Sequence, residues 1–185
     1  NAFAKTYGAH REFLELSKEE LRVVKEACHN KNVMFMCTPF DDLSLEQLVE
    51  LGVDILKIAS FDVGNIPLID KMAKTKIPIV ISVGGGKHEH IQSSVDCIKS
   101  HHNDFAVLHC VSEYPCPVDK VGLNNIPLLK AQFEGTVIGL SDHFNGTLTG
   151  PLGFTKGARI FEKHVTVNRA LKGTDHSFAL EVDGF

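Results

Sequence analysis

The sequence predicts an α/β protein built as an incomplete (β/α)8 TIM barrel, and three observations carry that expectation. Short apolar runs rich in Val, Ile and Phe recur along the chain, and segments of helical periodicity separate them. The polar residues that close the runs return every 22 to 30 residues, from Thr38 to Ser60, Ser82, Ser112, Ser141 and His164. Helix and strand in alternation call for a parallel sheet with helices outside it. So regular a repeat fits a barrel better than a doubly wound sheet, whose first crossover would carry a Gly-x-Gly-x-x-Gly turn. A closed barrel has eight strands and usually more than about 200 residues, whereas six strands are legible in these 185 residues. The expectation is one partial barrel domain over residues 1–185, lacking two leading strands and a trailing helix, with parallel edges left unpaired.

The elements follow in order. Ser17-Lys18-Glu19-Glu20 opens a helix, with Ser17 capping the first amides and Glu20 answering from the third position. The runs Val33–Cys37, Ile55–Ala59, Ile77–Ser82, Phe105–Cys110, Thr136–Leu140 and Ala158–Glu162 each read as a strand buried on both faces. Ser44-Leu45-Glu46-Gln47 repeats the capping box, and the helix it starts stops at Gly52, a residue able to take the left-handed conformation. Gly84-Gly85-Gly86-Lys87 has neither dinucleotide spacing nor the Gly-Lys-Ser/Thr of a P-loop, and reads as a strand-to-helix turn.

Composition narrows the function classes. A formal charge of −4 gives no general basic field for gripping a phosphodiester backbone, so nucleic acid is not an expected partner. No apolar run approaches the roughly 20 residues that cross a bilayer, and the first residues lack the pattern of a signal peptide. The expectation is a cytoplasmic protein with no membrane partner. Cys28, Cys37, Cys97, Cys110 and Cys116 are odd in number and form no Cys-x-x-Cys pair, so they read as reduced thiols, with Cys37 and Cys110 as small buried hydrophobes.

In a barrel the carboxyl ends of the strands converge on the active site. Each strand-end hydroxyl alone is explained by helix capping, but Thr38, Ser60, Ser82, Ser112 and Ser141 together can line an anion pocket. Lys57 sits mid-strand in Ile-Leu-Lys-Ile-Ala, where an unpaired ammonium is costly. It must snorkel outward, pair with an interior carboxylate, or meet a ligand anion such as phosphate. His143 and His164 end consecutive strands, which lie about 4.8 Å apart, so both imidazoles come within reach of one divalent ion; the alternative is a hydrogen-bonded core role. Glu162 shares a face with His164, as a supporting partner or as the carboxylate for Lys57. His88, His90, His101 and His102 read as solvated and His109 as a packing residue, and no Ser-His-Asp or Cys-His arrangement supports covalent hydrolysis.

Several strings carry a resemblance: Tyr7-Gly8-Ala9-His10-Arg11, Thr38-Pro39-Phe40-Asp41, Lys57-Ile58-Ala59-Ser60, Leu108-His109-Cys110, Tyr114-Pro115, Gly139-Leu140-Ser141-Asp142-His143, Glu162-Lys163-His164 and Gly173-Thr174-Asp175-His176. In that order, over nearly the whole chain, they resemble the sialic acid synthase family. The resemblance implies condensation of phosphoenolpyruvate with N-acetylmannosamine or a related acylamino sugar, releasing phosphate and forming a nine-carbon ulosonic acid. It also implies a (β/α)8 barrel followed by an antifreeze-like domain, Mn²⁺ or Mg²⁺ as cofactor, and a homodimer as the intact protein. By motif, His143 and His164 would bind the metal, and Thr38, Lys57, Ser60, Ser82, Ser112 and Ser141 would hold phosphoenolpyruvate. Tyr114 and Asp175 would contact the sugar, and Asp62 stands where the family has an acidic or polar residue near the reacting centre. Two positions depart from the pattern: Ser82-Val83-Gly84 replaces Ser-Thr-Gly, and some relatives carry Asn at Ser112. The family's first two strands, which supply an acidic candidate and further ligand contacts, and its antifreeze-like domain are not in these residues, so activity is expected of the intact protein rather than of this piece. The rival readings are another phosphoenolpyruvate-dependent synthase acting on a sugar phosphate (DAHP or KDO8P type), and a non-catalytic binding module descended from the enzyme.

Overall fold

A computed structural model describes residues 2–185. Six parallel strands form one sheet in chain order: β1 (Met36–Cys37), β2 (Ile55–Ile58), β3 (Ile79–Ser82), β4 (Phe105–Cys110), β5 (Val137–Asp142) and β6 (Ile160–Lys163). Among the described residues seven α-helices accompany them: α1 (Tyr7–Leu14) and α2 (Lys18–His29) ahead of β1, then α3 (Asp42–Leu51), α4 (Ile66–Lys74), α5 (His88–Lys99), α6 (Asn125–Gln132) and α7 (Thr149–Thr155), one between each pair of strands.

The sheet is curled into an arc. Adjacent strands lie about 4.8 Å apart, so β2 and β6 would stand roughly 19 Å apart in a flat sheet. Yet Lys57 Nζ on β2 lies 3.5 Å from Glu162 Oε1 on β6, and Ser82 Oγ on β3 lies 3.4 Å from Glu162 Oε2. Strand alternation divides the side chains between two layers. Outward residues such as Leu56, Ile58, Ile79, Ile81, Val107, Ile138 and Leu140 pack with Leu48, Ile69, Met72, Ile98 and Ile126 of the helices in the main core. Inward, Val80, Ala106 and Leu108 form a small apolar cluster with Ile55 and Ile160. Gly139 belongs to this inner level: a Cβ there would meet Leu108 Cδ2 and the Ile160 carbonyl oxygen, each at 2.4 Å.

The expected caps and strands are largely present. Ser17 and Glu20 close a reciprocal capping box, with bonds of 3.3 and 2.8 Å. Gly52 ends α3 in the left-handed region at φ 72°. Two expectations are corrected. Ser44 does not cap α3: the helix begins earlier, Asp41 accepts from the Ser44 amide at 2.7 Å, and Ser44 answers as the third helical residue. Nor are all strands buried on both faces, because Met36 of β1 and Phe161 of β6 are exposed where the edge strands lack a neighbour on one side. Among the described residues no helix is long and apolar enough to cross a membrane.

Candidate functional site

Above the inner apolar level, the next inward positions are polar: Lys57, Ser82, Cys110, Ser141 and Glu162. With Thr38, Ser60, Tyr114, His143 and His164 they line a basin of about 420 Å³ at the carboxyl ends of the strands. Lys57 donates to Ser82 Oγ at 2.8 Å and to its neighbour's carbonyl, Ile58 O, at 3.1 Å. It also faces Glu162 at 3.5 Å, so the interior carboxylate open to Lys57 from sequence is present, together with a hydroxyl. Burial pulls the Lys57 ammonium below the usual lysine value, and the attraction of Glu162 only partly opposes it. The loss of hydration is thus incompletely compensated, which suits a cation that awaits a further anion.

Four of the five strand-end hydroxyls, those of Thr38, Ser60, Ser82 and Ser141, share the basin. Ser112 lines an adjoining cleft with Ser60, Gly84 and Tyr114. Gly84 is required at this junction. A Cβ there would lie 2.6 Å from Ser112 Oγ and 2.8 Å from Cys110 Sγ, and the bare backbone lets its amide donate to Ser60 Oγ at 2.9 Å.

The two histidines meet as their positions predict, with ring centroids 5.3 Å apart. Nδ1 of His143 bonds the Val111 carbonyl at 2.8 Å, which leaves Nε2 as its lone-pair nitrogen. Behind them, on the outward face, Asp142 and Lys163 form a buried ion pair at 2.6 Å. Asp142 also accepts from Thr149 Oγ1 and the Phe144 amide, and Lys163 donates to the Phe144 carbonyl. The imidazoles differ in basicity. Burial opposes protonation of His143, but the Cys110 sulfur and the Val111 carbonyl outweigh it and raise its pKa; burial and the charge of His143 lower that of His164. Among the described residues no group of three or more His, Cys, Asp or Glu gathers as a complete metal cage. Two facing imidazoles are of the donor type that a divalent ion takes as part of a larger ligand set.

Tyr114 leans over this end, its ring centroid 4.0 Å from that of His143 and 5.9 Å from that of His164. Asp175 stands 3.9 Å from His164 Nδ1, on the wall of a neighbouring cavity rather than in the basin. Asp62 is not brought to the basin: it is buried in the turn after β2, with Oδ1 accepting from Asn65 Nδ2 at 3.0 Å and Oδ2 without a partner among the described residues. Glu162 serves Lys57 and Ser82 instead of supporting His164 by a hydrogen bond. Sequence reasoning missed Cys110, whose Sγ lies 3.9 Å from His143 Nδ1 and 4.0 Å from Ser112 Oγ. The signal was available, since Cys110 falls on the same strand face as Ser112. His109 points the other way, bonded to the Val121 carbonyl at 2.7 Å, as a packing residue.

Comparison with known proteins bears on this site. A Drosophila melanogaster protein named N-acetylneuraminate-9-phosphate synthase is 37% identical over 182 residues, covering 98% of this chain and 49% of its own. A Legionella pneumophila N,N'-diacetyllegionaminic acid synthase is 34% identical over 173 residues, 91% of this chain and 48% of its own. The chain thus spans about half the length of the curated relatives it matches. Among solved structures, N-acetylneuraminic acid synthetase from Leptospira borgpetersenii, crystallised with citrate, superposes with a TM-score of 0.92 at 37% identity, over 98% of this chain and 64% of that one. A truncated 3-deoxy-D-arabino-heptulosonate 7-phosphate synthase from Thermotoga maritima shares the fold alone, with a TM-score of 0.76 at 16% identity over 91% of this chain and 68% of its own. Residues 1–185 match the NeuB family throughout, and this chain belongs to that family.

Proposed function

We propose that this chain forms six units of a (β/α)8 catalytic barrel that condenses phosphoenolpyruvate with an N-acyl hexosamine, or its 6-phosphate, to a nine-carbon ulosonic acid with release of phosphate. The observation that carries the reading is Lys57, a buried cation only partly neutralised by Glu162, set among hydroxyls beneath two facing imidazoles. Lys57, Ser82, Ser60, Ser141 and Thr38 hold the phosphate and carboxylate of phosphoenolpyruvate, and Ser112 extends the set from the adjoining cleft. Their donors are fixed before the substrate arrives, so they stabilise the charge that develops on the phosphate without reorganising.

His143 and His164 hold a divalent ion, Mn²⁺ or Mg²⁺, which when bound supplies Lewis acidity toward the acceptor's carbonyl. Tyr114 covers that end and orients the open-chain sugar, so that the phosphoenolpyruvate methylene carbon faces its aldehyde. The new carbon–carbon bond forms between those two atoms. Water then adds at the enol carbon, and the carbon–oxygen bond to phosphate breaks. The names of the relatives, N-acetylneuraminate-9-phosphate and N,N'-diacetyllegionaminic acid synthases, support this substrate class.

The test is phosphate release by the full-length protein with phosphoenolpyruvate, Mn²⁺ and either N-acetylmannosamine or its 6-phosphate, with and without chelator. Chelator-sensitive release that requires one of these acceptors is expected. Release with erythrose or arabinose phosphates in their place, or no release with any acceptor from folded protein, would overturn the reading.

A further inference from the structure

Cys110 is a buried nucleophile for which the proposed reaction has no use, since neither the carbon–carbon bond nor the release of phosphate consumes a thiol. It closes β4 on the inward face, 6% exposed, as the register partner of Ser141 on β5. Three side-chain atoms crowd the space that a Cβ on Gly84 would take: Ser112 Oγ at 2.6 Å, Cys110 Sγ at 2.8 Å and Ser60 Oγ at 3.0 Å. The sulfur thus sits among Ser60, Ser112 and Ser141 and lines the basin itself. A thiol is a weak donor and a weak acceptor. At 4.0 Å the Ser112 hydroxyl gains little from it. Ser60 accepts from the Gly84 amide at 2.9 Å, which turns its own O–H away from that amide. An oxygen in place of the sulfur would compete for these hydroxyls as a hydrogen-bond partner of ordinary strength. On its other side Sγ lies 3.9 Å from His143 Nδ1, but that nitrogen is bonded to the Val111 carbonyl at 2.8 Å, so the ring does not depend on the thiol.

We propose that Cys110 is a positioning residue for the phosphoenolpyruvate site: its sulfur spaces Ser60, Ser112 and Ser141 by bulk and, as a poor hydrogen-bond partner, leaves their donors to the ligand. The inference rests on the function proposed above, in which those hydroxyls hold the anion. Donors of this kind work only where they stand, and a misplacement of about 1 Å can cost about a hundredfold. A smaller side chain lets the hydroxyls close into the space of the sulfur. A larger one collides with the bare backbone of Gly84, against which the sulfur is already packed. Serine, the nearest in shape, fails for a different reason, because its hydroxyl draws the neighbouring donors to itself.

The experiment compares Cys110→Ala and Cys110→Ser with the unaltered full-length protein. Phosphoenolpyruvate affinity is measured by calorimetry and Mn²⁺ affinity by electron paramagnetic resonance, alongside the melting temperature. The expected result is a rise of at least about tenfold in the phosphoenolpyruvate dissociation constant of both variants. The loss in Cys110→Ser is no smaller than in Cys110→Ala, and Mn²⁺ affinity is retained in both. Unchanged phosphoenolpyruvate affinity in Cys110→Ala makes Cys110 a small hydrophobe and overturns the proposal. Tighter binding by Cys110→Ser than by Cys110→Ala also overturns it, since the site would then want a strong hydrogen-bond partner. A parallel loss of phosphoenolpyruvate and Mn²⁺ affinity with a lowered melting temperature does the same, as the signature of general packing. An unaltered protein that binds no phosphoenolpyruvate defeats the proposed function instead, a result separate from all of these.

Discussion

Replacing Lys57 by Met separates the binding role of this cation from any role in stability. At 3.5 Å from Glu162, the pair attracts by roughly 5 kcal/mol at an effective dielectric of about 20. That gross figure is discounted because the Glu162 side chain is 34% exposed and screened by water. Against it stands the several kcal/mol of hydration given up by the ammonium, whose side chain is 6% exposed. The two nearly cancel, consistent with the lowered lysine pKa. Methionine refills the volume of the aliphatic stem, and the carboxylate left behind reaches water. Unfolding free energy of the full-length protein, from urea titration at neutral pH, is therefore expected to change by no more than about 1 kcal/mol. Affinity for phosphoenolpyruvate by calorimetry should fall more than about a hundredfold, since the ligand loses a charge-assisted bond inside the protein. The pH dependence has a definite sign. Because burial lowers the folded pKa below the ordinary 10.5, unfolding takes up a proton between the two values. Stability of the unaltered protein thus rises relative to Lys57→Met as pH climbs through that window. A variant destabilised by more than about 3 kcal/mol with anion affinity intact would show Lys57 to be a structural partner of Glu162, and the reasoning would fail.

Three further outcomes are expected of the full-length protein. His164→Ala should abolish chelator-sensitive turnover and weaken Mn²⁺ binding measured by calorimetry or electron paramagnetic resonance; Mn²⁺ affinity equal to that of the unaltered protein would remove His164 from the ligand set. Gly139→Ala forces a methyl into the 2.4 Å approaches of Leu108 and the Ile160 backbone, and should cost about 2–3 kcal/mol in chemical denaturation, an unchanged midpoint being the contrary result. Gly84→Ala places a methyl against Ser112 and Cys110 and should raise the KM for phosphoenolpyruvate by at least about tenfold, whereas a change confined to the acceptor KM would mislocate the anion.

The sheet was legible because each strand repeats one pattern, apolar toward the helices and polar at its carboxyl end. Phe105–Cys110 has the bounds read from sequence. Val33–Cys37 shortens to Met36–Cys37, since β1 pairs on one side only and Val33 and Met34 are exposed. Thr136–Leu140 runs on to Asp142, because the ladder with β6 continues to Lys163. Convergence of the strand ends groups Ser82 and Ser141 with the other hydroxyls and pairs His143 with His164, whereas Lys57 joins them from sequence only through the family resemblance. Alternation could not show that Glu162 closes on Lys57 from across the sheet, because that contact depends on the curl rather than on local pattern. Cys110 was misread for a different reason, its apolar neighbours disguising a thiol on the polar face. The positions of Asp62 and Asp175 depend on turns whose path no periodicity encodes.

The ion pair of Asp142 and Lys163 has a consequence for the two histidines that follow them. Each imidazole is the next residue after one member of a buried bridge, so the two strand ends are tied together on the face opposite the rings. Fixing a side chain at the moment of binding costs roughly 0.5–1.5 kcal/mol in lost rotamer freedom. Here much of that loss is incurred during folding, by a bond between the residues that precede the two rings. The two rings are thus held in alignment before anything meets them, and that alignment can be altered through Asp142, which does not line the basin.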